Sequence, residues 1–221
     1  MVASSRLAHS RKNVINNLKI DLVLDVGANE GQWANEVLRN GYLESLISFE
    51  PVKKVFLKLE SNANSYKNWK VVNTAIGKVD SINSINVAGN NALSSSFFEM
   101  EDIHLKAAPD SKYIEVEKVK LSRLAPWLKN ENNIYLKIDT QGFEMEILQS
   151  VPEKSWHRIL GIEVETSLVK VYSQPYLIED IIKYLRRKDF KPYRLENGMS
   201  TKPFGQLLQV DIIFVKKNYD S

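Results

Sequence analysis

Two stretches of the sequence place carboxylates beside glycines in a pattern that could do chemistry. The first, Leu22 to Trp33, reads LVLDVGANEGQW, with Asp25 inside an apolar run and Gly27 and Gly31 after it. This pattern predicts a buried parallel strand, a tight turn and a helix start. The turn glycines allow positive φ and let a ligand approach the backbone, where free N–H groups favour anionic or polar groups. A carboxylate in a buried strand needs a cationic or hydrogen-bonding partner, which the ammonium of an amino-acid ligand could supply.

The second stretch, Ile134 to Glu144, reads IYLKIDTQGFE and repeats this logic. It predicts another buried strand, which carries Lys137 and delivers Asp139 to a turn at Gly142 before a helix. Because the carboxyl ends of parallel strands open on one crevice, the two stretches point to a common site. The alternatives are that the glycines merely shape turns and that Lys137 and Asp139 form a structural ion pair.

A third carboxylate, Glu50, ends the strand predicted at 46–49. Pro51 stops the ladder there, so Glu50 sits at the strand's carboxyl end. An acid in this position commonly accepts hydrogen bonds from two ribose hydroxyls, although a simple surface acid is the alternative. The GANEG turn does not have the G-x-G-x-x-G spacing of a dinucleotide site, which disfavours a nucleotide-dependent oxidoreductase.

Composition bounds the class of protein. The chain has 221 residues, 43% hydrophobic and 26% charged, which suits one globular domain over 1–221. The net charge of +3 is too small to argue for nucleic-acid binding, and the lack of cysteine excludes disulfides and thiolate metal sites. No apolar run approaches the roughly 18 residues of a membrane span, and the first residues lack a secretory h-region. These features favour a cytoplasmic protein that has no transmembrane segment and does not bind nucleic acid.

The strands and helices that must position these residues are predicted to alternate along the chain. An N-terminal helix is predicted within 1–20, and its charged face is expected to be solvated, with a membrane-surface or substrate-steering role as the alternative. That face carries Arg6, His9, Arg11 and Lys12. Strands are predicted at 21–26, 46–49, 70–74, 134–138 and 159–164, and helices at 31–39, 52–64, 143–150 and 176–188. A closing antiparallel pair is predicted at 190–195 and 207–215.

Residues 80–121 interrupt this alternation and predict a β-rich insertion. Between its two strands lies a hydroxyl-rich and aromatic segment, 88–112, that is longer than a common connection. We expect this segment to be a lid or substrate loop, and His104 is its only histidine. Ser122 is predicted to cap a short helix that runs to Leu128.

The alternating pattern predicts an α/β fold, with a mostly parallel sheet covered by helices on both faces and an antiparallel closing strand. These features fit a Rossmann-like class-I methyltransferase fold. The motifs DVGANEGQW, SFEP, NTAIG, the serine run at 94–96, LKIDTQGFE and VDIIFV together resemble the FkbM family of S-adenosylmethionine-dependent methyltransferases. The resemblance covers about residues 20–216.

The resemblance implies a cofactor, a reaction and a set of site residues. The cofactor is S-adenosyl-L-methionine, and the reaction is methylation of a hydroxyl on a small molecule, sugar or glycan. The cofactor-binding residues would be Asp25, Gly27, Ala28, Asn29, Gly31, Glu50, Pro51, Ala75, Ile76, Ser95, Asp139, Gln141 and Gly142.

A neutral hydroxyl that is methylated benefits from a base as it loses its proton. Asp139 is the first candidate and His104 the second, with Lys137 orienting or neutralising Asp139. A loop histidine without a role is the alternative for His104. A divalent cation held by Asp139, Glu163 and Glu165 is possible chemically but is not predicted. A non-catalytic module that binds S-adenosylmethionine is the other functional alternative.

Overall fold

A seven-stranded sheet forms the centre of the molecule. The computed structural model describes residues 6–128, 133–173, 175–203 and 205–217. The strands of this sheet are β1 (Leu22–Val26), β2 (Ser45–Phe49), β3 (Trp69–Val72), β7 (Ile134–Ile138), β8 (Ile159–Ser167), β9 (Phe190–Asn197) and β10 (Gln209–Lys216). Their order is β3-β2-β1-β7-β8-β10-β9, with β10 antiparallel to both of its neighbours and the other pairs parallel. The predicted fold class is therefore confirmed.

Helices cover both faces of this sheet. They are α1 (Arg6–Asn17), α2 (Gln32–Arg39), α3 (Lys53–Ala63), α5 (Glu144–Ser150) and α6 (Ile178–Arg187). Successive side chains of β1 point to opposite faces of the sheet, where two separate apolar cores lie. Leu22 and Leu24 belong to one core cluster and Val23 belongs to the other. The first cluster includes residues of α5 and α6, and the second includes residues of α1, α2 and α3. Within the described residues, no helix is long and apolar enough to cross a membrane.

A second, three-stranded sheet stands beside the main one. It consists of β4 (Ala75–Gly77), β6 (Tyr113–Arg123) and β5 (Ser81–Ala88), in the order β4-β6-β5. The prediction of a third strand at 70–74 is wrong at its end, because β3 stops at Val72 and Ala75–Gly77 belongs to this second sheet. Thr74 turns the chain between the sheets, since its hydroxyl donates to the carbonyl of Lys120 at 3.0 Å, and β4 then pairs with β6.

The segment between β5 and β6 contains ordered structure. It forms α4 (Asp102–Ala107) and a 3-10 turn at Pro109–Ser111. Its side chains pack in a small apolar cluster with Val171, Tyr172 and Leu208. Met100 also forms an antiparallel bridge with Tyr172. The insertion is thereby attached to the carboxyl edge of β8.

Two further expectations are corrected by the structure. Ser122 lies inside β6 and does not cap a helix, because β6 continues to Arg123 and only a 3-10 turn, Ala125–Trp127, follows. The N-terminal helix is predicted from the sequence at 4–18, and the first residues of that range lie outside the described residues. Its charged face is not uniformly solvated, since Arg11 is only 5% exposed while Lys12 is exposed.

Candidate active site

The first glycine turn is pressed against the end of β7. Gly27 has φ +78°, and a Cβ atom placed on it would lie 1.8 Å from the carbonyl oxygen of Asp139. Gly31 has φ +88° at the start of α2, where a Cβ atom would meet the ring of Trp69 at 2.5 Å. Both glycines are therefore required by close packing and by the left-handed backbone. Gly27 lines the cleft described below, whereas Gly31 lies outside that lining and forms the turn into α2.

Glu50 closes the end of β2 and binds the neighbouring backbone. Its Oε2 accepts from the backbone N–H of Asn29 at 2.9 Å, and its Oε1 accepts from that of Val52 at 2.9 Å. Burial raises the pKa of Glu50 to about 7, and these backbone hydrogen bonds act in the opposite direction. Because a carboxylate has further lone pairs on each oxygen, Glu50 can still accept from a ligand hydroxyl.

A cleft opens above the carboxyl ends of β1, β2 and β7. Its lining comes from these strand ends and from the insertion at 80–121. One part is apolar and aromatic, and the other is polar. The apolar lining includes Phe49, Ile76, Ile85, Phe97 and Phe143, and the polar lining includes Asn29, Glu50, Ser95, Asp139 and Gln141.

Asp25 lies behind this cleft and does not line it. It is fully buried in β1 and accepts a hydrogen bond from the Ser48 hydroxyl at 2.8 Å. Lys137 Nζ lies 3.2 Å from Asp25 Oδ1 and donates to the carbonyl oxygen of Gly27 at 3.0 Å. The cationic partner that the sequence required for Asp25 is thus Lys137 of the adjacent strand, and a ligand ammonium is not needed for this purpose.

Lys137 remains charged in this buried position. Burial alone would disfavour the ammonium, but the carboxylates of Asp25 and Asp139 raise the pKa of Lys137 above its ordinary value. The Asp139 Oδ2 atom lies 3.7 Å from Lys137 Nζ. Lys137 therefore joins the two strand-end carboxylates, as the sequence interpretation of an ion pair expected.

Asp139 lies at the boundary between two cavities. Besides the cleft, it lines a second cavity formed between α1 and the ends of β7, β8 and β10. This second cavity is lined by Leu7, Arg11, Trp33, Lys137, Ile138, Asp139, Glu163, Glu165 and Asp211. A group bound in either cavity can therefore contact the Asp139 carboxylate.

The carboxyl groups in the wall of the second cavity differ in the direction in which their pKa values are shifted. Arg11 donates to both oxygens of Glu163, at 2.7 and 2.6 Å, and keeps the pKa of Glu163 below its ordinary value despite burial. Burial, with Asp139 and Glu163 nearby, raises the pKa of Asp211 to about 7. Burial likewise raises the pKa of Glu165, to which Asp139 and Asp211 add. The wall thus combines one fixed ion pair with two carboxyls, Glu165 and Asp211, whose pKa values are raised.

The three predicted catalytic residues are not all brought together. Lys137 and Asp139 are adjacent, but His104 lies on α4 and lines neither cavity described above. Its ring is 1% exposed and packs against Tyr172, with 4.9 Å between ring centroids. Burial lowers the pKa of His104 to about 4, so the imidazole is neutral at physiological pH. This position does not support His104 as the base.

Most predicted cofactor-binding residues border the cleft. These are Gly27, Asn29, Glu50, Pro51, Ala75, Ile76, Ser95, Asp139 and Gln141. Four others lie outside its lining, namely Asp25, Ala28, Gly31 and Gly142. Gly142 instead shapes the turn, where its N–H donates to Glu144 Oε1 at 3.0 Å.

Sequence reasoning missed the aromatic wall of the cleft. Phe97 and Phe143 pack together with 4.9 Å between ring centroids, and both line the cleft. Phe97 directly follows the serine run and Phe143 directly follows Gly142, so their nearness to motif residues was the available signal. It also missed Arg11, whose partner Glu163 is 152 positions away in the chain.

The chain is similar to two solved methyltransferase structures. The chain aligns with an rRNA methylase from Streptococcus thermophilus at a TM-score of 0.51 and 8% identity, covering 98% of each chain. It aligns with the 1,6-didemethyltoxoflavin-N1-methyltransferase of Burkholderia thailandensis, solved with 1,6-didemethyltoxoflavin and S-adenosylhomocysteine, at a TM-score of 0.50 and 11% identity. That alignment covers 97% of this chain and 78% of the other. No curated protein sequence matches the chain.

The strand order is that of the Rossmann-like class-I methyltransferase fold. The model of the FkbM methyltransferase domain matches residues 25–192, which is most of the chain. The protein therefore belongs to the FkbM methyltransferase family.

Proposed function

We propose that this methyltransferase uses S-adenosyl-L-methionine and methylates a hydroxyl oxygen of a sugar, a glycan or a related small-molecule natural product. The observation that carries the proposal is the position of Asp139 at the boundary of the two cavities. One cavity suits an adenosine-containing cofactor and the other suits a hydroxyl-rich acceptor. Asp139 then faces the reacting atoms from both sides.

The cleft fits the proposed cofactor by its chemistry. Glu50, at the end of β2, supplies an acceptor for ribose hydroxyls, and the apolar wall of Ile76 and Phe97 suits a flat purine ring. We assign the polar turn at Gly27 and Asn29, which lines the cleft, to the amino-acid end of the cofactor. Bound S-adenosylmethionine supplies a methyl group on a cationic sulfur, which is already electrophilic.

The protein's own contribution is therefore mainly orientation and proton acceptance. Holding an acceptor oxygen in line with an electrophilic carbon supplies much of the acceleration of such a displacement. Asp139 holds the proton that the acceptor hydroxyl loses. Lys137 positions Asp139 through the 3.7 Å ion pair, and Asp25 in turn positions Lys137.

The second cavity favours a neutral hydroxylated acceptor. Glu165 and Asp211 face each other as register partners of β8 and β10, and both line this cavity with Asp139. A carboxyl group accepts hydrogen bonds from hydroxyls when it is ionised and also donates one when it is protonated. This wall supports a sugar-like acceptor.

The test uses Asp139→Asn and two binding ligands. S-adenosylmethionine and S-adenosylhomocysteine are titrated calorimetrically, and transfer of radiolabelled methyl is measured on a panel of monosaccharides, glycosides and phenols. We expect both ligands to bind the wild type. In Asp139→Asn we expect turnover to fall by at least about 100-fold while affinity for S-adenosylhomocysteine changes by less than about threefold.

Two outcomes would contradict the proposal. The absence of binding by either ligand would remove the proposed cofactor. Equal loss of turnover and affinity in Asp139→Asn would make Asp139 a cofactor ligand and not the proton acceptor. The matched control is Asp110→Asn, because Asp110 is an exposed aspartate of the insertion.

A further inference from the structure

Tyr172 is a buried tyrosine that connects the insertion to the candidate active site. It lies just after β8, is fully buried, and forms a backbone bridge with Met100 of the insertion. The His104 ring packs against it, which fixes the plane of the phenol from the side of α4. Its hydroxyl donates to Oε1 of Gln141 at 2.7 Å.

The other end of the Gln141 amide binds the carboxyl groups of Asp139 and Glu165. Its Nε2 donates to Asp139 Oδ1 at 2.8 Å and to Glu165 Oε2 at 2.7 Å. Because an amide nitrogen has two protons, each carboxylate receives one. The backbone of Gln141 is held as well, since its carbonyl accepts from the Ser96 hydroxyl at 2.6 Å.

The direction of the Gln141 amide matters because its two ends have opposite polarity. Rotation by half a turn would point Oε1 at two carboxyl groups, so Asp139 Oδ1 would lose the donor Gln141 and Glu165 Oε2 would keep only the donor Gln209. Burial raises the pKa of Tyr172 above its ordinary value, so its hydroxyl keeps the proton that it donates to Oε1. The Tyr172 hydroxyl thereby makes one of the two amide orientations the favourable one.

We propose that Tyr172 is a positioning residue for methyl transfer, because its hydroxyl fixes the Gln141 amide so that Gln141 holds Asp139 and Glu165. This inference rests on the proposed function in that Asp139 receives the acceptor's proton. Gln141 donates to Asp139 Oδ1 and Lys137 lies 3.7 Å from Oδ2, so the carboxylate is held from two sides while each oxygen keeps a lone pair for the acceptor. Tyr172 therefore acts on the direction in which Asp139 presents its carboxylate.

The first experiment observes the Gln141 amide directly and needs no acceptor. The full chain is labelled with ¹⁵N in the side chains of its six glutamines, and the Gln141 signals are assigned by their loss in Gln141→Met. The spectra of the wild type, Tyr172→Phe and Tyr42→Phe are then compared. Tyr42 is the matched control, because it is a buried tyrosine whose hydroxyl donates to the backbone carbonyl of Ser45.

We expect two separate Gln141 amide proton signals with slow solvent exchange in the wild type. In Tyr172→Phe they should shift and exchange at least about tenfold faster, whereas Tyr42→Phe should leave them unchanged. Unchanged signals in Tyr172→Phe would overturn the inference. An equal change in Tyr42→Phe would also overturn it, since the effect would then be one of general loosening.

The second experiment is a double-mutant cycle on an acceptor that the wild type methylates. Tyr172→Phe should lower kcat on the order of tenfold with little change in KM for S-adenosylmethionine. If Tyr172 acts through Gln141, the double variant Tyr172→Phe/Gln141→Met should be no slower than Gln141→Met alone. Additive losses would contradict the inference.

Failure of the inference and failure of the proposed function are distinguishable. Absence of S-adenosylhomocysteine binding by the wild type would contradict the proposed function, and the amide spectra would still report on Tyr172. Binding and turnover together with an unaltered Gln141 amide in Tyr172→Phe would retain the function and remove the positioning role.

Discussion

The α-carbon of Gly27 faces the carbonyl oxygen of Asp139 so closely that a Cβ atom there would lie only 1.8 Å from that oxygen. This contact joins the turn after β1 to the end of β7. It explains why the two motifs that carry the candidate site share one edge of the sheet. The contact is between backbones, so no side-chain rotation can relieve a clash.

Gly27→Ala should therefore disrupt the site much more than an ordinary glycine replacement. We expect a loss of unfolding free energy above about 4 kcal/mol, or displacement of Asp139 with loss of cofactor binding. Gly41→Ala is the matched control, because Gly41 also has positive φ, +97°, but a Cβ atom added to it would meet no other atom within 4 Å. It should cost only about 1–2 kcal/mol. Chemical denaturation measures both, and equal losses would show that backbone strain alone matters at Gly27.

Glu50→Gln should weaken binding of S-adenosylhomocysteine roughly 10- to 100-fold, since it removes a charged acceptor from the end of β2. Burial raises the pKa of Glu50 to about 7, so the ionised fraction increases as pH rises from 6 to 8. Affinity in the wild type should increase over that range, because the carboxylate accepts hydroxyl protons better than the acid does. Calorimetry at pH 6, 7 and 8 tests this. If affinity still depends on pH in Glu50→Gln, another group is responsible for that dependence. Glu60→Gln is the control, because Glu60 is exposed.

Arg11→Met should destabilise the fold by about 3–5 kcal/mol. The substitution leaves Glu163 buried without the bidentate partner that now donates at 2.6 and 2.7 Å. Trp33 and Tyr135 would still donate to Glu163, but they cannot neutralise its charge. The free energy of unfolding is measured by denaturant titration of Arg11→Met and of Lys12→Met. Lys12 is the matched control, because it is an exposed neighbour on α1. A loss no larger than in Lys12→Met would show that the pair contributes little.

Asp211→Asn should stabilise the protein at pH 8. The pKa of Asp211 is raised to about 7 in the folded state from an ordinary value of 3.8, chiefly by burial. The folded state therefore binds more protons than the unfolded state between these values, and this group's contribution to stability falls as pH rises through that window. Removing the charge should gain about 4 kcal/mol at pH 8 and little at pH 4. Thermal unfolding at both pH values tests this, and a gain that is equal at both would contradict the titration argument.

The strand-end carboxylates could be predicted because their signals are local. Asp25, Glu50 and Asp139 each follow or interrupt a short apolar run beside a glycine or proline, and strand polarity brings such ends to one edge of the sheet. The family resemblance added the cofactor to this pattern. Local signals could not separate a residue that lines the cleft, such as Glu50, from one that supports it, such as Asp25.

The remaining features depend on contacts between distant parts of the chain. The Arg11–Glu163 pair joins α1 to β8, and the Tyr172–Gln141 contact joins the turns after β8 and β7. The departure of β4 to a second sheet depends on β6, which lies tens of residues later in the chain. No periodicity along one segment reports such pairings, so a single sequence leaves Arg11 indistinguishable from a solvated arginine.

The central place of β1 in the sheet has a consequence for synthesis of the chain. Leu22 pairs on one side with Ser45, which is made soon afterwards, but on the other side with Ile134, which is made more than a hundred residues later. Until then the inner edge of β1 has no neighbour, and exposed strand edges invite aggregation. Such non-local pairing also slows folding, since the long intervening loop must close first. A nascent chain stopped before residue 134 should therefore remain protease-sensitive on the ribosome, and resistance should appear only after β7 has emerged.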